Sequence, residues 1–388
     1  MVHRPEWVAR IEKAWNERPV VWLSGVRRSG KTILSRSLPD VEYLDCERPR
    51  TRLALEDAEG FLDSFGQGRL VLDEIHRLPD PSEILKIAAD HYPGIRILAT
   101  GSSTLGASEK FSDTLAGRKR NLWLTPMTLG DMREAAKTDM PHRLLRGGLP
   151  PFLLAQEYPE ADFAEWIDAF WARDIQNLFR LERGSSFRRF TELVLAQSGG
   201  IFEATRFAAP CEVSRPTIAH YLSVLEATFV AHVIRPFNTR RAVEIIAAPK
   251  VYGFDSGFVA WGKGWAELRR EDLGVLWEHF VLNEIMAARQ TREIFYWRDK
   301  RGHEVDFVLA PKRGGPVAIE CKWSAAAFDP AGLKAFRYHY PEGENIVLAH
   351  DVSRPVTRRY GELEVRFERL ADFAATFSGV EKTKRAQV

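Results

Sequence analysis

The stretch GVRRSGKT, from Gly25 to Thr32, constrains the fold of this chain more than any other feature of its sequence. It follows the apolar run VVWL and precedes a segment with an amphipathic pattern, so we expect a buried strand, a glycine-bearing loop and a helix in that order. Glycines let such a loop curl until its N–H groups point at one anion. An α/β domain with a parallel sheet is therefore predicted for the front third of the chain.

The spacing fits the pattern GxxxxGK[ST], which is typical of loops that bind nucleotide phosphates. Lys31 would place its ammonium on the β- and γ-phosphate oxygens, and the Thr32 hydroxyl would bind Mg²⁺. The predicted cofactors are accordingly ATP and Mg²⁺. The residues predicted to bind them in this loop are Gly25, Arg28, Ser29, Gly30, Lys31 and Thr32.

A second apolar run, in RLVLDEIHRLP, ends on Asp73 and Glu74. An acid at the carboxyl end of such a strand can hold the magnesium ion, and the next acid can polarise the attacking water. We therefore predict Asp73 as a metal and cofactor ligand and Glu74 as the catalytic base. The alternative is a strand end whose acids only face solvent.

The run IRILATGSS predicts a third strand that brings hydroxyl groups to the same sheet edge. Thr100 and Ser102 are suited to sense the γ-phosphate or orient water, and Ser102 is predicted as a cofactor-binding residue. Ser103 fits a plain Ser/Gly turn equally well. Further on, Arg118 is predicted as a catalytic charge partner of the phosphates, in cis or across a subunit boundary, against the alternative of a surface arginine.

The middle of the chain is locally basic. Between residues 180 and 241 it holds nine Arg and five Glu without Lys or Asp, a local net charge of +4. The pattern there predicts a helix, a turn, a second helix capped by Ser214 with Pro216 in its first turn, and a strand pair. That order resembles a winged helix-turn-helix, whose second helix would present Arg215, Thr217 and His220 to DNA. The alternative is a module that only packs against neighbouring domains.

Acids stand among apolar residues in EVDFVLAPKRGGPVAIECKW, which predicts two strands joined by a turn. Alternation places Glu304, Asp306 and Val308 on one face of the first strand, opposite Val305 and Phe307. On the second strand Glu320 and Lys322 share a face. The alternatives are an edge hairpin with a solvated face and a site for Mg²⁺ or Mn²⁺.

A helix predicted from GVLWEHFVLNEIMAAR favours the metal site. Glu278 falls inside its apolar arc, whereas His279 and Asn283 share another side. A buried carboxylate without a partner costs several kcal/mol or becomes neutral, and a nearby cation removes that cost. We therefore predict Asp306 and Glu320 as metal ligands, and Glu278, Asp306, Glu320 and Lys322 as catalytic residues, with lysine acting on water or the phosphate.

Composition limits the other possibilities. The chain has 388 residues, enough for two or three domains, and its 55 Lys and Arg nearly balance its 53 Asp and Glu, so any nucleic-acid surface must be local. The three cysteines are far apart and lack metal-binding spacing, which favours a reducing cytoplasm. There is no run of eighteen apolar residues and no signal-type start, so neither a membrane partner nor secretion is expected.

As an ordered set, these features resemble two known groups of proteins. Glu278, Asp306, Glu320 and Lys322 look like the acids and the lysine of the PD-(D/E)xK nuclease superfamily, although Val305 stands where that name has a proline. From about residue 5 to about residue 350, the chain resembles bacterial and archaeal AAA-like P-loop ATPases with a C-terminal DUF4143 region, the AAA_14/DUF4143 family. His76 departs from the glutamine usual there. The phrases that carry this likeness are GVRRSGKT, LVLDEIH, LATGSS, LAGR, KVYGFDSG, GVLWEHFVLNEI and EVDFV.

The resemblance implies an α/β multidomain protein. The expected parts are a P-loop ATPase domain over residues 1–140, a helical winged helix-turn-helix module over 141–245, a restriction-endonuclease-like domain of mixed α/β fold over 246–375 and a disordered tail over 376–388. The function expected is ATP hydrolysis coupled to metal-dependent cleavage of nucleic acid, DNA in preference to RNA, with a homo-oligomer left open. The alternative is a DNA-binding or signalling ATPase switch whose nuclease-like domain is not catalytic.

Overall fold

The computed structural model describes residues 2–101, 114–176, 183–238, 248–310 and 314–377. The chain forms two compact units. The first comprises Met1–Leu193 and Ala204–Ala231, and the second comprises Val194–Glu203 and His232–Val388. The predicted middle module is therefore not a compact unit of its own, because its residues are shared between these two.

The first unit contains a five-stranded parallel sheet with the strand order β2-β3-β4-β1-β5. Three of its strands are almost continuous apolar runs, as expected where helices cover both faces of a parallel sheet. Their side chains form a core with the helices Ala58–Phe65 and Pro81–His91. The strands are β1 (Val20–Ser24), β2 (Glu42–Asp45), β3 (Gly68–Asp73), β4 (Ile95–Thr100) and β5 (Lys119–Trp123).

Helices α1 to α9 lie in the first unit, α10 begins there and ends in the second, and α11 and α12 return to the first. A 3₁₀ turn, Ile75–Arg77, follows β3, and a π-helical turn, Trp171–Ile175, follows α9. The helices are α1 (Pro5–Glu17), α2 (Lys31–Arg36), α3 (Pro49–Ala54), α4 (Ala58–Phe65), α5 (Pro81–His91), α6 (Leu129–Glu134), α7 (Met140–Arg146), α8 (Pro150–Leu153), α9 (Glu160–Phe170), α10 (Gly184–Ala196), α11 (Ala204–Ala208) and α12 (Arg215–Ala227).

The second unit is built on a nine-stranded mixed sheet with the order β13-β14-β12-β11-β10-β9-β7-β8-β6. A 3₁₀ turn, Ala325–Ala327, follows β11. The strands are β6 (Gly200–Ile201), β7 (Ala231–Pro236), β8 (Lys250–Gly253), β9 (Phe295–Arg298), β10 (Glu304–Leu309), β11 (Val317–Lys322), β12 (Asn345–Ala349), β13 (Val356–Tyr360) and β14 (Leu363–Glu368), and the helices are α13 (Ser256–Gly262), α14 (Arg270–Arg289), α15 (Ala331–His339) and α16 (Leu370–Ala375).

The predicted hairpin is present as β10 and β11, which pair antiparallel. The predicted assignment of residues to the two faces of β10 is wrong, however. The pairing of β10 with β9 shifts between Val305 and Val308, and both valines join the same core cluster, although the pattern placed them on opposite faces. A β-bulge explains this result, because one extra residue in a strand reverses the faces that follow it.

Helix α14 differs from the predicted amphipathic helix. Its burial runs almost all the way round from Leu276 to Ala288, so that His279 and Asn283 are buried as well as the apolar arc. The helix packs against β11 on one side and against α13 and α16 elsewhere, and Glu278 is the one residue of this stretch that stays partly exposed. Among the residues that the structure describes, no helix is both long and apolar enough to cross a lipid bilayer.

Candidate functional site

The carboxyl ends of β1, β3 and β4 lie at one edge of the parallel sheet, where the predicted phosphate-binding loop also lies. Gly25, Arg28 and Gly30 all have positive φ, at 153°, 64° and 98°. A Cβ on Gly25 would stand 2.7 Å from the Leu124 carbonyl oxygen, so this position requires glycine. The backbone curl inferred from the sequence is therefore present.

Lys31 begins α2 and is buried. Its ammonium donates to the Gly25 carbonyl oxygen at 2.8 Å and to the Val26 carbonyl oxygen at 3.2 Å, which holds it across the loop. Burial lowers the pKa of Lys31, and the negative charges of Glu74, Asp174 and Asp73 oppose that effect. A buried ammonium held across this loop is suited to bind phosphate oxygens.

Arg4 supports this loop, and the sequence analysis missed it. Its guanidinium donates to the Ser29 and Thr125 carbonyl oxygens, at 3.2 Å each, and forms an ion pair of 2.5 Å with Asp131. Arg4 and Asp131 are both almost fully buried. The T-x-x-D spacing of the capping box at Thr128 was the available signal for Asp131, but nothing near Arg4 indicated its role.

Asp73, at the end of β3, is held by two hydroxyl groups. The Tyr43 hydroxyl donates to Asp73 Oδ2 at 2.6 Å, and the Thr100 hydroxyl donates to Oδ1. Thr100 also accepts the Glu74 backbone N–H at 3.1 Å. The Thr100 hydroxyl thus positions both acids, and its predicted role in sensing the γ-phosphate or orienting water stays a prediction. Thr32 and Asp73 line one cavity, and a hydroxyl and a carboxylate are oxygen donors that Mg²⁺ takes, so these residues fit that ion.

Glu74 follows Asp73 in the left-handed backbone region, with φ of 55° and ψ of 44°. Its carboxylate lies 3.1 Å from His76 Nδ1 and lines the same cavity. Burial acts to raise the pKa of Glu74, but the interaction with His76 and the charges of Lys31 and Arg77 outweigh it and lower that pKa. A carboxylate that stays ionised beside the phosphate loop is suited to accept a proton from water.

The cavity has a volume of about 530 Å³, and the phosphate loop, β3 and the end of α9 line it. Trp166 donates from Nε1 to the Arg27 carbonyl oxygen at 3.0 Å, and Glu165 pairs with Arg28 at 3.0 Å. Arg28 thus shapes the loop through its backbone while its side chain binds α9. The π-helical turn adds Arg173 and Asp174 to the lining; sequence patterns alone had not indicated them.

Arg118 does not reach this cavity within one chain. It precedes β5, whose first residue, Lys119, pairs with Val20 at the amino end of β1, so Arg118 lies at the sheet edge opposite the phosphate loop. There it forms an ion pair with Asp90 at 2.6 Å. The prediction of a role in cis is corrected on this ground, and a role across a subunit boundary stays a prediction. Ser102 and Ser103 lie outside the described residues.

The second unit brings the predicted acids and lysine together. Lys322 Nζ lies 2.7 Å from Glu320 Oε2 and 3.3 Å from Asp306 Oδ2, and the Cys321 backbone N–H donates to Asp306 Oδ2 at 2.7 Å. Burial and the neighbouring charge of Asp306 raise the pKa of Glu320 to about 8. Burial lowers the pKa of Lys322, but Asp306 and Glu320 outweigh it and raise that pKa. The site thus holds an ammonium between two carboxylates.

Glu278 is engaged by two residues of β8 that the sequence analysis gave no role. The Tyr252 hydroxyl donates to Glu278 at 2.5 Å, and Lys250 lies 3.9 Å from Glu278 while pairing closely with Glu304. Burial and the charge of Asp306 raise the pKa of Glu278 to about 7. The signal was the phrase KVYGFDSG, in which a lysine and a tyrosine alternate on one strand face.

These contacts allow a test of the predicted metal site. In the described part of the chain, no group of three or more His, Cys, Asp or Glu side chains is arranged to hold a metal ion. Asp306 and Glu320 converge on Lys322 Nζ and carry the oxygen donors that Mg²⁺ and Mn²⁺ prefer, and burial together with the charge of Asp306 raises the pKa of Glu320. Two donors therefore fit a divalent ion, whereas Glu278 is bound to Tyr252.

These pKa values predict a pH dependence for the second unit. Glu278 and Glu320 have pKa values above their usual 4.5 in the folded state, so folding takes up protons between about pH 5 and pH 8. Their neutral forms favour the folded state at low pH, and we expect the free energy of local unfolding to fall by several kcal/mol as pH rises through this window. Hydrogen exchange of the β11 amides in EDTA measures it.

Glu320→Gln should flatten this dependence, whereas Glu342→Gln, at an exposed position, should leave it unchanged. Protection of β11 that stays constant from pH 5 to 8 in the unmodified protein would contradict the raised pKa values. Exchange rates must first be corrected for their own dependence on pH.

The two helices expected in the basic stretch are present as α11 and α12, and Ser214 caps α12 by accepting the Thr217 N–H at 3.3 Å. Arg215 and His220 are exposed, whereas Thr217 is half-buried and bonded to Ser214. β7 then joins the nine-stranded sheet beside β9. Residues 239–247, where a wing partner would lie, are outside the described residues. Ion pairs also occupy part of the basic surface, since Arg188 binds Asp168 and Arg189 binds Glu212.

Family comparisons agree with the phosphate-loop geometry. A family model described as AAA domain matches residues 17–133, and models for the domains of unknown function DUF8612 and DUF4143 match residues 137–269 and 273–361. The chain thus carries an AAA-like ATPase domain, a class that binds nucleotides, followed by a DUF4143 region. This confirms the coarser part of the predicted resemblance.

Relatives and solved structures add little about function. The chain is 29% identical over 335 residues to the uncharacterized proteins Mb2031c of Mycobacterium bovis and Rv2008c of Mycobacterium tuberculosis, over 83% of this chain and 74% of each relative. A DNA polymerase III gamma subunit-related protein of Thermotoga maritima matches 58% of this chain and 96% of its own, with 12% identity and a TM-score of 0.25. The Bacillus subtilis clamp loader delta protein matches 71% and 98%, with 14% identity and a TM-score of 0.24.

Proposed function

We propose that this chain is a cytoplasmic ATPase that acts on DNA, in which ATP binding and hydrolysis by the first unit control a metal-dependent phosphodiesterase in the second. The observation that carries the second half is the Lys322 ammonium held between Asp306 and Glu320 in a partly buried site. Burying such a set of charges is costly, and a surface used only for binding has no need of it.

The roles within the first unit follow from its contacts. Lys31 and the loop N–H groups would bind the phosphates, with Thr32 and Asp73 holding Mg²⁺. Glu74 would accept the proton of the attacking water, because its carboxylate is ionised and lines the phosphate cavity. Tyr43 and Thr100 fix the side chain of Asp73 while the backbone of Glu74 is tied to Thr100. Magnesium would supply charge neutralisation at the phosphates.

The roles within the second unit follow in the same way. Asp306 and Glu320 would hold Mg²⁺ or Mn²⁺, which supplies an activated water and neutralises a phosphate oxygen. Lys322 would place its ammonium on the phosphate or on the water. Tyr252 and Lys250 keep Glu278 oriented beside this group. A restriction-endonuclease-like fold, DNA as the polymer, and contact through Arg215 and His220 all belong to this proposal.

A second candidate function is an ATPase switch whose second unit binds nucleic acid or a partner without cutting. Lys250 favours it, since an ammonium between Glu278 and Glu304 already compensates acids that a catalytic metal would otherwise neutralise. The absence of a group of three metal donors among the described side chains points in the same direction.

One assay separates the two functions. The purified full-length chain is incubated with supercoiled plasmid and with linear DNA, with and without ATP and Mn²⁺, and the products are resolved on gels. We expect cleavage that needs Mn²⁺ and that changes at least tenfold with ATP, because one unit would control the other. DNA that stays intact in every condition, while ATP is still hydrolysed, would leave the switch as the function.

A further inference from the structure

Asp174 is the unexplained charge in the nucleotide cavity. It lies in the π-helical turn after α9, lines the cavity with the phosphate loop, and its Oδ2 atom is buried without a hydrogen-bond partner in the described structure. An unpaired carboxylate oxygen costs free energy unless a ligand or a nearby cation compensates it. The charges that face Asp174 therefore bear on its role.

Most of the charges that act on Asp174 belong to the phosphate site itself. The positive charges of Arg27 and Lys31 act on Asp174, as does the negative charge of Glu74. Arg27 Nε is likewise buried without a partner among the described residues. Burial raises the pKa of Asp174, and the two cations oppose that shift. Asp174 thus faces the same cations that the phosphates of a nucleotide would need.

The backbone of this segment adds an independent observation. The Gln176 N–H donates to the Trp171 carbonyl oxygen, five residues back, which is the wide hydrogen bond of a π-turn. Such turns are rare and recur at functional sites. A return to α-helical geometry would rotate a residue after the turn by about 100° about the helix axis. Asp174 lies within this turn, so its place in the cavity wall depends on the local π geometry.

We infer that Asp174 is a phosphate-competing carboxylate: its charge acts on Arg27 and Lys31 at the wall of the cavity, and nucleotide phosphates would compete with it for these cations and displace it. This inference rests on nucleotide binding by the first unit, and it adds a route by which that binding reaches α9. The segment is already joined to the loop through Trp166 and Glu165. Displacement of Asp174 would then release the π-turn while these two contacts keep α9 in place.

Asp174→Asn tests the inference, because it keeps the shape of the side chain and removes its charge. We expect fluorescent ADP and ATP to bind about tenfold more tightly, since phosphates no longer compete with a buried carboxylate for the same cations. Asp168→Asn is the matched control: Asp168 lies on α9, is half-exposed and pairs with Arg188, so its affinity should match the unmodified protein. In an Arg27→Gln background, the gain from Asp174→Asn should shrink.

Hydrogen exchange tests the same inference without ATP hydrolysis. A non-hydrolysable ATP analogue should speed exchange at residues 171–176 of the unmodified protein, and nucleotide-free Asp174→Asn should already show this faster exchange. Equal or weaker nucleotide affinity in folded Asp174→Asn overturns the inference, and loss of binding in Lys31→Ala in the same series leaves the proposed nucleotide site standing. Absence of nucleotide binding by the unmodified protein overturns both.

Discussion

We expect Lys31→Ala to abolish nucleotide binding. Glu74→Gln should retain nucleotide binding and slow ATP hydrolysis by about 10²- to 10³-fold. Lys31 is buried among the loop carbonyls and bears the charge that meets the phosphates. Glu74 lies at the wall of the same cavity, and its carboxylate pairs with His76. Because a carboxylate can accept a proton from water but does not attract phosphate, its substitution should slow hydrolysis and leave nucleotide affinity unchanged. Fluorescent-nucleotide titration and phosphate release measure the two effects.

Lys86→Ala is the matched control for the lysine, because Lys86 is exposed on α5 and should leave both measurements unchanged. Equal ATP affinity in the unmodified protein and Lys31→Ala would contradict the assignment of the loop. Equal hydrolysis rates in the unmodified protein and Glu74→Gln would leave the loop in place and exclude Glu74 as the base.

The second large effect concerns the acids of the second unit. We expect Asp306→Ala to reduce DNA cleavage by about a hundredfold or more and to erase stabilisation by Mn²⁺, because it removes a ligand. The unmodified full-length chain should gain roughly 5 °C in the melting transition of its second unit when the Mn²⁺ concentration is a hundred times Kd. Cleavage gels and a thermal melt with and without Mn²⁺ make the comparison.

Lys322→Ala should behave differently. It leaves Asp306 and Glu320 without their ammonium, so the metal-free protein should melt several degrees lower, since breaking a buried ion pair is costly. Its stabilisation by Mn²⁺ should persist while cleavage falls by about 10²- to 10⁴-fold. Glu364→Ala, an exposed position on β14, is the control. If Mn²⁺ shifts no transition in any of these proteins, Asp306 and Glu320 hold no metal.

The phosphate loop shows how far sequence alone reaches. Local chemistry determines this feature, because glycines at two fixed positions, a lysine and a threonine specify the backbone curl and its ligands within eight residues. The strands around it were predictable for the same reason, since buried parallel strands are near-continuous apolar runs. The ExK spacing likewise put Glu320 and Lys322 on one strand face, as the structure has them.

Partners that come from distant parts of the chain were not predictable in this way. Arg4 reaches the phosphate loop, Tyr43 reaches Asp73, and Tyr252 reaches Glu278 only because the folded chain brings separate elements together. A short phrase such as KVYGFDSG can place Lys250 and Tyr252 on one strand face, but it does not specify which distant residue they meet. Arg118 illustrates the converse: its sequence neighbourhood suggested a phosphate partner, but the direction of β5 in the parallel sheet places it at the opposite edge.

Local irregularities in backbone geometry were equally invisible in the sequence. The bulge in β10 reversed the faces assigned by simple alternation, and the π-turn after α9 carried Asp174 to the nucleotide cavity. Both features add one residue to a regular repeat, and strand and helix periodicity assume that no such addition occurs. The sequence by itself determined the phosphate loop, its strands and the ExK pair through short-range chemistry. Only the tertiary structure decided which distant charges meet there, because burial makes each buried charge depend on neighbours that the fold supplies.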